Sequence, residues 1–259
     1  MIHPSSIVSK EAVIGEGAVI GPFCVIRGKV RIGPGTILES HVSIGNEFGS
    51  TEIGAKNRIS AGAVIGGPPQ DLKYKGEPTQ LIVGDENIIR ECVTLNNGTP
   101  GGGGITRIGN QNLIMAYSHV AHDCQIQDRV VIANSCQLAG HVEIESDVKI
   151  GGVCCVSQFI RLGRHCYIAG DSTINKDIIP FSIAQGKYAV VRATNKIGMD
   201  RAGIAKTTIE GIHRAIRSII KGSDTLEVTM QKIRSENEST PELEHLLKFI
   251  ELSERGIAR

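Results

Sequence analysis

The chain has 259 residues, 41% of them hydrophobic, with 28 basic side chains against 27 acidic ones. That is enough apolar material for a sizeable core, and the near-zero net charge leaves no overall footprint for nucleic acid. No run of about eighteen apolar residues and no charged leader ahead of an apolar stretch is present, so the expectation is a cytoplasmic protein without a membrane span.

Thirty-one glycines, no Trp and only 3% aromatic residues point to a turn-rich repeat architecture. Every sixth residue from Ile2 is aliphatic: Ile2, Val8, Ile14, Ile20, Ile26, Ile32, Leu38 and Ile44. After a slip the frame resumes at Ile53, Ile59 and Ile65, breaks, and returns at Val83, Ile89 and Leu95. From Ile108 it runs without a miss through Val120, Leu138 and Val156 to Ile174. Glycine often follows the anchor, at Gly15, Gly21, Gly33, Gly45, Gly54, Gly84, Gly109, Gly151 and Gly163, where the expectation is a sharp turn between short strands. A period of six fits a parallel solenoid whose coils each take three hexads, so residues eighteen apart stack about 4.8 Å from one another.

Five of the seven cysteines, Cys24, Cys124, Cys136, Cys154 and Cys166, stand four residues after an anchor. A shared place in the repeat reads as small core side chains rather than disulfides, metal ligands or nucleophiles, and no CxxC pair argues otherwise. Two interruptions stand out, residues 66–82 and the glycine-rich 98–107. They are candidate lids over an active site, with tolerated surface insertions as the alternative.

Hexads end near Pro180, and the division is drawn as a repeat domain over 1–186 and a helical domain over 187–259. Ile204 to Lys221 carries Ile209, Ile212, Ile216, Ile219 and Ile220 at helical spacing and stops at Gly222. A second helical segment follows Ser223, and a third opens Thr240-Pro241-Glu242, with proline suited to a first turn. Between Lys187 and Lys221 lie eight basic residues against two acidic ones. That balance suits either a solvated helix face or a docking surface for an acidic carrier protein or a nucleotide diphosphate.

The chemistry-bearing residues cluster in the long hexad run. Tyr117-Ser118-His119-Val120-Ala121-His122-Asp123-Cys124 is followed one coil later by Leu138-Ala139-Gly140-His141-Val142. Eighteen-residue stacking puts His122, Gly140 and Gln158 in one column and His141 on Asp123. A histidine able to take a proton, a glycine whose N–H can be approached closely and a second histidine are what acyl transfer needs.

These segments resemble the UDP-N-acetylglucosamine O-acyltransferase family of lipid A biosynthesis. The resemblance also covers Ile20-Gly21-Pro22-Phe23-Cys24, Gln70-Asp71-Leu72-Lys73-Tyr74, Gly76-Glu77-Pro78-Thr79, Ile183-Ala184-Gln185-Gly186 and Arg255-Gly256. It implies a mainly β fold, a left-handed parallel β-helix of hexapeptide repeats with a small C-terminal α-helical domain. The left hand comes from the resemblance, since parallel crossovers in general are right-handed. It further implies that His122 is the general base, that Asp123 orients it and that the Gly140 N–H steadies the oxyanion. Gln70, Asp71, Lys73, His119, His141, Ser157 and Gln158 would bind substrate, with Asn195 and Arg201 near the nucleotide. The partners implied are a 3-hydroxyacyl-carrier protein, a UDP-sugar and two further copies in a homotrimer with sites between subunits. No cofactor is implied. Gly170 stands where the family gauges acyl length and would leave the groove open for a longer chain.

The chain departs from the family pattern at Ser157, Ile197, Ala202 and Asn96, where histidine, an acidic residue, arginine and histidine are usual. Losing an arginine contact to a diphosphate costs on the order of a few kcal/mol. These changes leave a paralogue with altered substrate or little catalysis as an alternative. A zinc enzyme built on His119, His122 and His141 is a remote one, because the spacing is narrower than zinc-holding hexapeptide proteins use. His3, His41, His165, His213 and His245 join no such cluster and are assigned to surface or capping roles.

Overall fold

The computed structural model describes residues 1–259. It is a left-handed parallel β-helix of three long sheets with four helices at its C-terminal end. The first sheet contains nine strands, among them His119–Val120, Gln137–Leu138 and Cys155–Val156. The second has eight and the third ten. Strands are mostly two residues long, and in each the second residue is the aliphatic anchor: Ile20, Leu38, Val120, Leu138, Val156 and Ile174 are all at most 2% exposed. A period of six works because each coil turns three corners, returning every third anchor to the same face. Each buried anchor contributes about 1.5–3 kcal/mol relative to exposure.

The corners are made differently from what glycine placement suggests. The left-handed residue is the third after the anchor and is seldom glycine: Phe23, His41, Asp123, His141, Phe159 and His165 all have φ between 56° and 64°. Gly45 does take a left-handed conformation, at φ 80°, but most of the glycines that follow anchors serve close approach instead. Gly15, Gly33, Gly54, Gly84, Gly109 and Gly163 all follow strands of the second sheet. A Cβ at Gly15 would lie 2.7 Å from the Pro34 nitrogen of the next coil, and one at Gly163 would lie 2.5 Å from that of Pro180.

Among the buried polar side chains one set forms a ladder. Asn57, Asn87 and Asn112 are buried in adjacent coils; Asn87 Nδ2 donates to Asn57 Oδ1 at 3.0 Å, and the Asn112 N–H donates to Asn87 Oδ1 at 2.9 Å. Cys24, Cys124, Cys136, Cys154 and Cys166 are all buried free thiols. The Cys24 and Cys124 thiols donate to the Glu39 and Ala139 carbonyls at 2.9 and 3.2 Å. Burial pushes the Cys124 thiol up to about 12, which leaves it uncharged and unreactive.

After Ile174 the chain leaves the hexad frame. An antiparallel hairpin, Ser182–Gly186 with Ala189–Thr194, extends the third sheet. The stretch after Pro180 is therefore not all helix, and a division after residue 186 passes between the hairpin's two strands. Four helices follow: α1 (Lys196–Arg201), α2 (Lys206–Lys221), α3 (Leu226–Glu236) and α4 (Pro241–Glu251). In α2, Ile209, Ile212, Ala215, Ile216 and Ile219 form the buried face, and Thr240 caps α4 by accepting from the Leu243 N–H. His165, assigned to a surface or capping role, is buried beside Phe181, with ring centroids 5.9 Å apart. No helix is long and apolar enough to cross a membrane.

Candidate active site

The first sheet sets the site's register. Val120 pairs with Leu138 and Leu138 with Val156, so the second residue after each anchor forms the column His122, Gly140, Gln158, and the third forms Asp123, His141, Phe159. The His141 N–H donates to the His122 carbonyl at 3.0 Å, locking the two coils together at this corner.

His122 and Asp123 are adjacent in sequence, and a flat strand would point them apart. The left-handed conformation of Asp123, φ 61°, turns the corner between them and brings His122 Nδ1 to 2.8 Å from Asp123 Oδ2. Both residues are buried, at 7% and 4% exposed. An ionised carboxylate only accepts, so Nδ1 carries the proton and Nε2 keeps its lone pair.

The carboxylate is held from the other side by the glycine-rich loop. The Thr99 N–H donates to Oδ1 at 2.8 Å and the Thr99 hydroxyl to Oδ2 at 2.6 Å. The Asp123 N–H donates to Thr106 Oγ1 at 2.7 Å. Gly102 packs flush on the carboxylate, leaving no room for a Cβ. The loop 98–107 is thus the wall of the dyad and not a detached insertion. Thr99 and Thr106 had no sequence signal beyond their place in and beside a break in the repeat.

Gly140 faces the other edge of the base. A Cβ there would lie 2.5 Å from His122 Cε1 and 2.8 Å from Nε2. Its N–H donates to no acceptor in the protein, whereas comparable corner N–H groups at Ala55 and Asn110 are taken by Asp85 and Asp128 at 2.7 Å. A buried lone pair beside an unspent backbone donor is an arrangement suited to proton abstraction next to a developing oxyanion.

His141 stands edge-on to His122, centroids 5.2 Å apart, with Nε2 3.7 Å from Asp123 Oδ2. Burial holds its pKa below the ordinary histidine value against the charges of Asp123 and Asp71. Asp71 lies on the longer inserted loop. Lys73 lies on the same loop, its N–H donating to Asp71 Oδ1 at 2.9 Å. His119 shares the face, its Nδ1 2.7 Å from Thr94 Oγ1, and burial followed by the neighbouring His122 depresses its pKa. The cluster able to offer metal-ligand atoms is His122, Asp123 and His141, while His119 Nδ1 is engaged by Thr94.

Other expected residues lie elsewhere in the single chain. Gln158, the next residue of the column after Gly140, and the adjoining Ser157 are exposed. Gly170 follows a strand of the third sheet, stacked on Gly152. Asn195 caps α1: Oδ1 accepts from the Gly198 N–H at 3.0 Å, and Nδ2 donates to the His165 carbonyl at 2.8 Å. Arg201, at the end of α1, lines a separate cavity of about 480 Å³ with Ile197, Asp200 and Ile209.

A hexapeptide β-helix carrying a buried histidine–carboxylate pair beside a free backbone donor defines an acyltransferase of the hexapeptide class. A family model described as bacterial transferase hexapeptide matches residues 1–46 and 105–140, and one described as UDP-N-acetylglucosamine O-acyltransferase, domain 2, matches residues 177–258. The structure of LpxA from Acinetobacter baumannii is similar at 41% identity and TM-score 0.95, covering 100% of this chain and 99% of that one. LpxA from Bacteroides fragilis, a UDP-N-acetylglucosamine acyltransferase, is 39% identical at TM-score 0.96, with 100% of both chains covered. The Arabidopsis UDP-N-acetylglucosamine acyltransferase is 33% identical at TM-score 0.90, again over 100% of both chains. The chain belongs to the UDP-N-acetylglucosamine O-acyltransferase family and is an O-acyltransferase.

Proposed function

We propose that this protein moves a 3-hydroxyacyl group from acyl-carrier protein to the 3-hydroxyl of UDP-N-acetylglucosamine, the opening step of lipid A biosynthesis. The observation that carries the reading is the buried His122–Asp123 pair at 2.8 Å with the unspent Gly140 N–H against the same ring. His122 Nε2 takes the proton of the sugar hydroxyl as its oxygen attacks the thioester carbonyl. Charge on the carbonyl oxygen is met by the Gly140 N–H, and Asp123 stabilises the imidazolium. Collapse expels the carrier thiolate, which takes the proton back from His122.

Gln70, Asp71, Lys73, His119, His141, Ser157 and Gln158 contact substrate in this reading. Asn195 shapes the start of α1, and Arg201 supplies charge for the diphosphate. Gly170, without a side chain, leaves room for a long acyl chain. The working form is a cytoplasmic homotrimer whose sites are completed between subunits.

The test is acyl transfer by purified protein given UDP-N-acetylglucosamine and 3-hydroxyacyl-carrier proteins of several chain lengths, with His122→Ala as control. Transfer with the longer donors preferred, abolished by the substitution, is expected. No transfer with any donor removes the proposed reaction, activity surviving in the control removes His122 as base, and a preference for short donors removes the role of Gly170.

A further inference from the structure

Arg255-Gly256 is part of the family resemblance, yet the chemistry above leaves it unused. The structure places it at the end of the site's own column. Eighteen residues beyond Phe159 in the Asp123–His141–Phe159 column stands Asp177, which is completely buried. Asp177 fastens the C-terminal tail: its N–H donates to the Gly256 carbonyl at 2.9 Å, its carbonyl accepts from the Ala258 N–H at 2.9 Å, and Oδ2 accepts from the Ser253 hydroxyl at 2.8 Å. Ile257 and Ala258 are buried behind the clasp. Gly256 turns the tail with φ 72°, a conformation that favours glycine. The turn leaves Arg255 over the Phe159 ring, Cζ 5.0 Å from its centroid.

Phe159 stacks on His141, centroids 4.4 Å apart and planes 11° apart. That contact matters because the His141 side chain makes no close hydrogen bond. Its nearest polar partner, Asp123 Oδ2 at 3.7 Å, is already taken by Thr99 and His122. Packing alone therefore orients this ring against the base. Arg255 and Phe159 are both exposed, so the cation–π contact between them is at the modest end for its kind, and a guanidinium suits the planar geometry better than an ammonium.

We infer that Arg255 is a positioning residue for acyl transfer: through Phe159 it sets the plane of His141 beside the His122–Asp123 pair, making the C-terminal tail part of the site. This rests on the acyltransferase reading.

The test is a double-mutant cycle in the full-length protein, following kcat and KM for the sugar together with the thermal midpoint. Arg255→Ala should lower kcat/KM about two- to five-fold, the range an exposed cation–π contact allows, and Arg255→Lys should recover part of the loss. In a His141→Ala background the same Arg255→Ala change should alter kcat/KM less than two-fold, because its target is gone. An equal loss in both backgrounds overturns the inference. A second readout is independent of turnover: the His141 ring-proton resonances should shift in Arg255→Ala toward their positions in Phe159→Leu, and unchanged resonances overturn the inference. Wild-type protein without transfer activity would instead sink the reaction proposed above while leaving the resonance measurement to decide the positioning role.

Discussion

Asp123→Asn isolates what the carboxylate does. The substitution keeps shape and volume, and each neighbour still has a partner. The amide oxygen can accept from the Thr99 N–H now 2.8 Å away, and the NH₂ group can donate to the Thr99 hydroxyl oxygen and to His122 Nδ1, now 2.6 and 2.8 Å from Oδ2. Stability should therefore change little. The His122 tautomer, however, is inverted: an amide donor at Nδ1 forces the proton onto Nε2, the atom that must take the substrate's proton. The wrong tautomer in a histidine–carboxylate pair costs about ten-thousand-fold in kcat, equivalent to roughly 5.4 kcal/mol. The assay is steady-state acyl transfer at saturating donor, with a thermal melt on the same preparation. A variant that melts near the wild-type temperature and keeps more than about a tenth of wild-type kcat would refute the assignment of Asp123 as the residue that fixes the base.

Gly140→Ala would place a Cβ 2.5 Å from His122 Cε1, so the ring must move; a displacement of that order costs about a hundred-fold in kcat, and near-normal turnover would show that the base does not need this position. Burial depresses the pKa values of His119, His141 and His165. The unfolded chain, titrating near 6.5, then binds more protons than the native one, so urea midpoints should rise from pH 5.5 to a plateau above about 6.5 and fall as pH drops toward the native values. His165→Gln should flatten that rise, and a slope of opposite sign would contradict it. Asn87→Leu orphans the Asn112 N–H and the Gly109 carbonyl, bonded at 2.9 and 3.0 Å, and should cost about 2–6 kcal/mol by chemical denaturation. A loss under 1 kcal/mol would mean that the asparagine ladder is not needed.

The repeat makes most of the fold legible because few architectures besides a three-cornered solenoid call for an inward-pointing aliphatic residue every six positions. The same arithmetic places His122 under Gly140 and Gln158, and His141 on Asp123, since no insertion interrupts residues 108–174. It fails wherever the register is broken. Thr99 reaches Asp123 across 24 residues that include the glycine-rich loop, and no stacking rule spans an insertion. The hairpin at 182–194 follows the last hexad, so the period carries no signal for it. The role of the corner glycines is hidden for another reason: that a Cβ at Gly163 would meet Pro180 is a property of neighbouring coils and not of any local segment.

Three of the four departures from the family pattern, at Ser157, Ile197 and Ala202, lie on the exposed side of the same line, while the fourth, Asn96, is buried at 6% exposure. Asp123 receives two bonds from Thr99 and one from His122, and Gly102 and Gly140 press on the pair from either side, so a change at any of these points orphans a buried group or displaces the base. Ile197, by contrast, is 68% exposed, and Ala202 and Ser157 are also exposed in the single chain. A substitution there leaves no buried donor or acceptor unpaired and is invisible to folding. No buried hydrogen bond therefore ties these three exposed side chains to the fold. Restoring the family's residues, by Ser157→His and Ala202→Arg, should shift KM for the sugar without moving kcat or the thermal midpoint; a change in kcat alone would place these positions in the chemistry instead.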